Sequence, residues 1–164
     1  MLKKTLVLFL IFLLICSCLS CSDGNVYGHA ELVISLSEDF EEFEAENFDA
    51  AYTNGKAIVG IYRISFEAGF NQGIPDFLTP EQFARFYMKN SGKSVEIKKH
   101  QATPYYEYVD EQDGIKNTYI ATFYRSRFAY FLVLFATPES LYTQTFEELI
   151  SYTETVIFDY DRAG

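Results

Sequence analysis

The chain has 164 residues, of which 23 are acidic and 13 are basic, so its net charge is −10 at neutral pH. Nucleic acids and anionic lipids are polyanions, and this charge argues against binding either of them by bulk electrostatic attraction. The 16 Phe and 13 Tyr make the chain rich in aromatic residues although it has no Trp. Most of these rings are expected in a core, because aromatic side chains bury large areas.

The first segment has the layout of a secretory signal that ends in a lipid-attachment cysteine. Lys3 and Lys4 precede an apolar run at 5–15, which is shorter than the roughly 20 residues of a membrane-spanning helix. Cys18 follows a small residue, with an aliphatic residue two places earlier. This pattern predicts lipid attachment at Cys18, with Cys21 as the alternative. An uncleaved N-terminal anchor helix is the other interpretation.

These features divide the chain into three parts. We predict a lipoprotein-type signal and attachment region at 1–21, a tether at 22–30 and a single globular domain at 31–160. No cysteine follows Cys21, so a disulfide within the domain is not expected. Removing Lys3 and Lys4 would leave 11 basic residues against 23 acidic ones, a net charge of −12.

Turn and capping residues give the clearest local signals. Asn54-Gly55 and Asp113-Gly114 each stand between two strand-like runs, and they predict hairpins, with a type I′ turn at the first. Thr79 and Gln82 form a capping box around Pro80, which predicts a helix start. In chain order we expect strands at 31–36, 48–53, 56–66, 95–101, 105–109, 115–124, 128–135 and 156–158, a loop at 67–78, and helices opening at 79–82 and 137–140.

Several of these strands are apolar on both faces, the run at 130–135 most clearly. Such strands are covered on both sides. We therefore predict an α+β fold, an antiparallel β-sheet with helices packed on both faces.

The segments 37–40, 57–66 and 78–83, followed by the long ending at 119–139 and the last helix and strand, have a recognisable order. In this order the chain resembles the superfamily of PsbP-like, DcrB-like and Ran-binding nuclear-import-factor domains. The resemblance implies an α/β/α sandwich of the PsbP-like type, and several bacterial members are similar in being lipoproteins. The superfamily hosts accessory and binding roles of several kinds, so the resemblance implies no functional residues.

The residues give little support for an enzyme. Neither His29 nor His100 has metal-ligand spacing to another His or Cys, and no nucleophile elbow is present. The run at 91–94 is read as a helix stop, not as a phosphate loop. The acidic segment at 38–49 lacks the spacing of a calcium loop. We expect no metal, no cofactor and no nucleic-acid partner.

The leading hypothesis is a membrane-anchored, extracytoplasmic lipoprotein that acts as a non-enzymatic binding or assembly module of the cell envelope. Its expected partners are the membrane, through the N-terminal lipid, and an unidentified envelope protein. The candidate partner-binding residues are at one hairpin tip, because Arg beside aromatic rings is favoured at interfaces. They are Tyr124, Arg125, Arg127 and Phe128.

Two further features of the sequence concern a possible pocket and an alternative function. The loop at 67–78 contains Phe70 and Phe77, which look exposed and are expected to border a pocket. The alternative function is a small extracytoplasmic hydrolase that uses carboxylates of the acidic segment or of the 107–113 loop, where two carboxyl groups would have to converge in a cleft. The carboxylates of that loop are Glu107, Asp110, Glu111 and Asp113.

Overall fold

The structure is a computed structural model that describes residues 25–92, 96–112 and 114–163. Its helices are α1 (Phe66–Asn71), α2 (Pro80–Asn90) and α3 (Glu139–Tyr152), with 3-10 turns at Thr153–Thr155 and Tyr160–Ala163. The strands are β1 (Asn25–His29), β2 (Leu32–Leu36), β3 (Glu41–Glu42), β4 (Ala50–Thr53), β5 (Ile58–Ser65), β6 (Lys98–His100), β7 (Thr103–Gln112), β8 (Ile115–Arg125), β9 (Ala129–Pro138) and β10 (Ile157–Phe158).

A seven-stranded antiparallel sheet forms the centre of the molecule, in the order β3-β4-β5-β9-β8-β7-β6. Both predicted hairpins are present. Gln112 pairs with Ile115 across the second turn, which leaves two residues in the loop. The first turn is wider than the predicted type I′ turn, because Thr53 pairs with Ile58. The Asn54 side chain accepts hydrogen bonds from the backbone N–H groups of Lys56 and Ala57 and so stabilises a four-residue connection.

Different layers cover the two faces of this sheet. On β9, Phe131, Val133 and Phe135 pack with β2 and α3, whereas Tyr130 and Leu132 pack with α2 on the opposite face. The predicted antiparallel sheet with helices on both faces is therefore confirmed. The sequence did not indicate a second, three-stranded sheet, β1-β2-β10, which lies on the same face as α3.

Strand β1 differs from the sequence prediction, which assigned these residues to a tether. Asn25–His29 pair along their whole length with β2. The Tyr27 hydroxyl donates to the carbonyl of Phe40, and the Tyr52 hydroxyl both donates to the carbonyl of Gly28 and accepts from its N–H. The globular domain therefore begins by Asn25, six residues before the predicted boundary at 31.

The segment predicted as a loop at 67–78 also contains regular structure, since α1 occupies its first part. The Ser65 hydroxyl accepts from the N–H of Ala68 and caps this short helix. The next helix agrees with the prediction: Thr79 and Gln82 form both bonds of the capping box at the start of α2. Hydroxyl caps thus account for both helix starts on this face.

A buried polar network ties the two sheets together. The Glu31 side chain, which is 0% exposed, accepts a hydrogen bond of 2.6 Å from the Ser126 hydroxyl and one of 3.2 Å from Nε of Arg63. Burial opposes ionisation of this carboxyl, but the bonds from Ser126, the backbone and Arg63 outweigh it and lower the pKa of Glu31. Ser126 also accepts from the N–H groups of Phe128 and Ala129, so one carboxylate anchors the β8–β9 turn.

Candidate binding cleft

A cleft with a volume of about 520 Å³ opens on the α2 face of the seven-stranded sheet. We call it the tyrosine cleft. Its floor comes from β5, β9 and β7, one wall from α2 and the other from the segment before β4. Its lining residues are aromatic, aliphatic, amide or hydroxyl side chains: Asn47, Phe48, Tyr62, Ile64, Gln72, Ile74, Phe86, Tyr87, Asn90, Ser91, Tyr106, Tyr108, Leu132 and Leu134. This volume lies within the usual range for small-molecule sites.

The cleft exists because α2 covers only part of this face. Phe83, Ala84 and Met88 bury the helix against the part of the sheet nearest Tyr130 and Phe123. Beyond the helix, the sheet carries small residues in register. Leu134 pairs with Gly60 on one side and with Ala121 on the other. Small residues between larger ones leave a depression that tyrosines border.

Among the described residues, none of those that line the tyrosine cleft carries a formal charge at neutral pH. Burial, and secondarily its neighbour Tyr87, raises the pKa of Tyr106 to about 12. Burial likewise raises the pKa values of Tyr87 and Tyr108. The hydroxyls therefore stay protonated at physiological pH, and the cleft is an uncharged surface on an acidic protein.

Three of these hydroxyl groups have no partner within the described part of the chain. The side chains of Tyr62, Tyr87 and Tyr106 contact other aromatic rings or line the cleft, but their hydroxyls make no hydrogen bond to any described residue. The amides of Asn47, Gln72 and Asn90, exposed at the rim, make none to these residues either. The cleft thus offers donors and acceptors beside apolar rings.

Alkaline pH should unfold the protein through these tyrosines. A pKa raised from 10 to about 12 in the folded state means that the stabilisation is complete below pH 10 and is lost as the pH rises toward 12. A titration that follows tyrosinate absorbance and circular dichroism together should show that the tyrosines with raised pKa values, Tyr106 among them, ionise only as the protein unfolds. All 13 tyrosines ionising near pH 10 with unchanged circular dichroism would contradict this.

Phe48 forms the wall of the cleft opposite α2, and Gly60 makes room for it. A Cβ placed on Gly60 would lie 2.5 Å from the Phe48 ring, closer than atoms can approach. The ring is only half-buried, so it can move away. Glycine at position 60 therefore leaves the room that the Phe48 ring needs in its observed position.

Gly60→Ala should accordingly displace the Phe48 ring and lower the free energy of unfolding by about 1 kcal/mol. Urea denaturation of Gly60→Ala, Phe48→Ala and the double variant measures the coupling between the two positions. In the Phe48→Ala background, Gly60→Ala should cost almost nothing. An equal cost in both backgrounds would show that the ring does not depend on the glycine.

The predicted partner-binding residues at the β8–β9 tip have different environments. Tyr124 is buried and its hydroxyl donates to the carbonyl of Thr153, so it is not part of the tip surface. Arg125 donates to the carbonyl of Asp76 at 2.9 Å and its guanidinium lies over the Phe66 ring. Arg127 lies over Tyr160, and Phe128 is 51% exposed. Partner binding at the tip stays a prediction, now without Tyr124.

The loop after α1 lies beside this tip. Phe70 and Phe77 are 80% and 76% exposed, and they line a separate depression of about 410 Å³ beside the tip. The predicted pocket at the 67–78 segment is therefore present. Its lining is almost wholly apolar, and it is separate from the tyrosine cleft except for the shared side chain of Ile74.

The carboxylates of the alternative hydrolase hypothesis do not share one face. Residues three apart on a strand point to opposite faces, so Glu107 and Asp110 are on different sides of β7. Glu107 accepts 2.6 Å and 2.9 Å bonds from Tyr142 and Lys98. Burial opposes its ionisation, but these donors lower the pKa of Glu107. Glu111 is exposed. Asp113 lies outside the described residues.

The acidic segment borders a depression of about 490 Å³, and the histidines lie on other strands; the carboxylate residues that line this depression are Glu42, Glu44, Glu46 and Asp49. Glu41, Glu42, Glu44 and Glu46 are exposed. His100 pairs with Glu154, while His29 lies on β1. Among residues 25–92, 96–112 and 114–163, no three His, Cys, Asp or Glu side chains are grouped closely enough to hold a metal ion.

The predicted lipid-attachment residues, Cys18 and Cys21, lie outside the described residues, as does the whole predicted signal segment. None of the helices in the described ranges has the length and apolar character that crossing a membrane requires.

The sequence matches no family model and no curated protein. Solved structures do resemble it. One is a crystal structure from Bacteroides thetaiotaomicron VPI-5482, with 14% sequence identity and a TM-score of 0.59 over 84% of this chain. The match spans 49% of that structure, so this chain corresponds to about half its length. Another is the solution structure of cyanobacterial PsbP (CyanoP) from Synechocystis sp. PCC 6803, with 9% identity and a TM-score of 0.52, covering 86% of this chain and 95% of that one.

The chain has a PsbP-like fold. The likeness covers nearly all of the CyanoP chain, and the element order that suggested the superfamily is the order observed. At 9% identity the likeness shows the fold alone. The fold by itself therefore assigns no site to this chain.

Sequence reasoning missed the tyrosine cleft of the PsbP-like domain, although one signal pointed to it. Counting outward residue by residue along both strands from a two-residue turn at Asp113-Gly114 places Tyr108 opposite Tyr119. Their rings are stacked, with centroids 4.8 Å apart and an interplanar angle of 8°. Nothing local predicted that α2 would stop short of this part of the sheet.

Proposed function

We propose that the protein is a membrane-tethered, extracytoplasmic module of the cell envelope that binds an uncharged ligand in the tyrosine cleft without converting it. The observation that supports this is the composition of the cleft: within the part of the chain that the structure describes, three tyrosine hydroxyls have no partner and the lining side chains are uncharged. General acid–base chemistry requires titratable groups poised near the working pH. Tyrosines whose pKa values are raised are poorly suited to acid–base catalysis, but their protonated hydroxyls are suited to forming hydrogen bonds with a ligand.

The N-terminal sequence supports the tether. Lipid attachment is expected at Cys18, or at Cys21 in its place. Cells labelled with a fatty-acid analogue should incorporate the label into the wild-type protein, and the Cys18→Ala plus Cys21→Ala variant should lose it. Retention of the label by the double variant would contradict the lipoprotein assignment.

The binding function can be tested without knowing the ligand. Full-length protein purified from membranes would be incubated with a soluble cell extract, and the retained small molecules identified by mass spectrometry. The Leu134→Trp variant fills the cleft, because Leu134 lies on its floor. Val109→Trp is the matched control, since Val109 is 53% exposed and does not line the cleft.

The wild type and Val109→Trp should retain the same uncharged molecule, and Leu134→Trp should lose it. Equal retention by all three proteins, or by none, would contradict binding in the cleft. Conversion of the retained molecule by the wild type alone would replace the binding module with an enzyme.

A further inference from the structure

The tyrosine cleft is one half of a longer groove. A second depression of about 390 Å³ adjoins it and shares Phe48 and Leu134 with it. Two registered rows cross the sheet beneath them. One contains Gly60, Leu134, Ala121 and Tyr106. The other contains Ile58, Ala136, Tyr119 and Tyr108. These rows cross four strands, and three interstrand spacings amount to about 14 Å.

The groove accepts some ligand classes better than others. Among the described residues, an anion would find no cation in the tyrosine cleft, and it would find one, Lys56, in the second depression. An acyl chain would bury the hydroxyls of Tyr62, Tyr87 and Tyr106, which have no partner among the described residues, at a cost of about 1–3 kcal/mol for each polar group. An acyl chain therefore matches the groove poorly, and an anion matches only its Lys56 end.

An extended peptide is also a poor match. Peptides that add to a sheet gain main-chain hydrogen bonds at an edge strand. The groove lies on the face of the sheet, over β5, β9, β8 and β7, and each of these strands is already paired on both sides. The groove therefore offers a peptide side-chain contacts but no backbone ladder.

A sugar chain has what this surface complements. Each pyranose ring presents flat patches of C–H groups and an edge of hydroxyls, and it carries no charge when neutral. The rings of Tyr108 and Tyr119 are parallel and stacked on each other, and they give the groove an aromatic wall against which C–H groups can pack. The free hydroxyls of Tyr62 and Tyr106 and the rim amides of Asn47 and Asn90 provide donors and acceptors at the edges.

We infer that the ligand of the tyrosine cleft is a neutral oligosaccharide that lies across β5, β9, β8 and β7, with sugar faces against tyrosine rings. This inference rests on the proposed binding function. The Phe48 ring packs against Gly60, lies where the two depressions join and forms part of the wall of both. Recognition is by hydroxyl and ring contacts along the groove.

The test uses full-length protein in a detergent without a sugar headgroup, probed with a set of defined oligosaccharides. The set contains neutral gluco-, manno-, xylo- and chito-oligosaccharides, together with sulphated and sialylated forms. Binding is measured by calorimetry and by tyrosine fluorescence, which no tryptophan obscures because the chain has none. At least one neutral series should bind, with affinity that rises with chain length up to the length of the groove.

Single-atom variants locate the site. Tyr106→Phe and Tyr62→Phe each remove one hydroxyl from the cleft and should weaken binding about fivefold, the effect of one neutral hydrogen bond. Tyr160→Phe is the matched control, because Tyr160 lies outside the groove, and it should bind as the wild type does. Leu134→Trp should abolish binding while circular dichroism confirms its fold.

Three results would overturn the inference. Preference for sulphated or sialylated chains would show an anionic ligand. Absence of binding to every sugar, while the wild type still retains an extract molecule that Leu134→Trp loses, would overturn the glycan and leave the binding function standing. Sugar binding that is unchanged in Tyr106→Phe, Tyr62→Phe and Leu134→Trp would place the sugar elsewhere on the protein.

Discussion

Glu31→Ala is expected to lower the free energy of unfolding by about 3 kcal/mol, near the lower end of the range for breaking a buried ion pair. The carboxylate is wholly buried, and its removal takes away the acceptor of the Arg63 guanidinium and leaves the Ser126 hydroxyl with only its longer bond to the Ala129 carbonyl. The loss stays at that lower end because Arg63 is 25% exposed and can reach water. Urea denaturation at neutral pH measures it.

Glu31→Gln is the matched control for charge. It keeps the volume and an acceptor for Ser126, so it should cost less than Glu31→Ala at neutral pH. Since the folded pKa of Glu31 lies below 4.5, its contribution is present above pH 4.5 and is lost as the pH falls through the folded value. The difference between wild type and Glu31→Gln should therefore shrink in acid, and a difference that does not vary with pH would contradict the ion pair.

Gly28→Ala is expected to cost on the order of 3 kcal/mol and to detach β1 from β2. Its φ of 156° is unusual for a residue with a side chain, and a Cβ there would lie 2.1 Å from the carbonyl oxygen of Leu32. That oxygen belongs to the backbone of a buried strand, so it cannot move without breaking the pairing. Chemical denaturation gives the free energy, and hydrogen exchange shows which strand opens.

Gly55→Ala is the matched control, because it makes the same substitution at a φ of 78° with no atom within 4 Å of the new Cβ. It should cost only about 1 kcal/mol, the penalty for a side chain at positive φ. Equal losses for Gly28→Ala and Gly55→Ala would mean that backbone conformation alone matters and that the contact with Leu32 relaxes.

Local signals predicted much of the fold. The capping box at Thr79 and the second Gly-containing turn act within a few residues, and they predicted a helix start and a hairpin pairing correctly. Asn54-Gly55 predicted the position of the first hairpin but not its wider, four-residue connection. Strands that are apolar on both faces correctly indicated two covering layers. The pairing of Tyr108 with Tyr119, and hence the stacked aromatic pair in the groove, follows from the second turn.

The remainder depends on contacts between distant residues. Asn25–His29 is a short polar segment whose hydrophobic pattern is too weak to predict a strand, and it is held by a partner strand and by Tyr52. The packing of the Phe48 ring against Gly60 joins the segment before β4 to β5 through steric fit. The Glu31 network likewise joins residues that are 95 positions apart, Glu31 and Ser126, and no pattern in the sequence predicts it.

The early start of β1 restricts how the domain can stand above a membrane. If Cys18 carries the lipid, it is seven residues before Asn25, a distance of at most about 25 Å along an extended chain; from Cys21, four residues before Asn25, the limit is about 14 Å. Asn25 pairs with Leu36, at the end of the β1–β2 ladder remote from Glu31 and the β8–β9 turn. That end would then be held close to the bilayer, while the β8–β9 turn with its exposed Phe128 lies near the opposite end of the ladder.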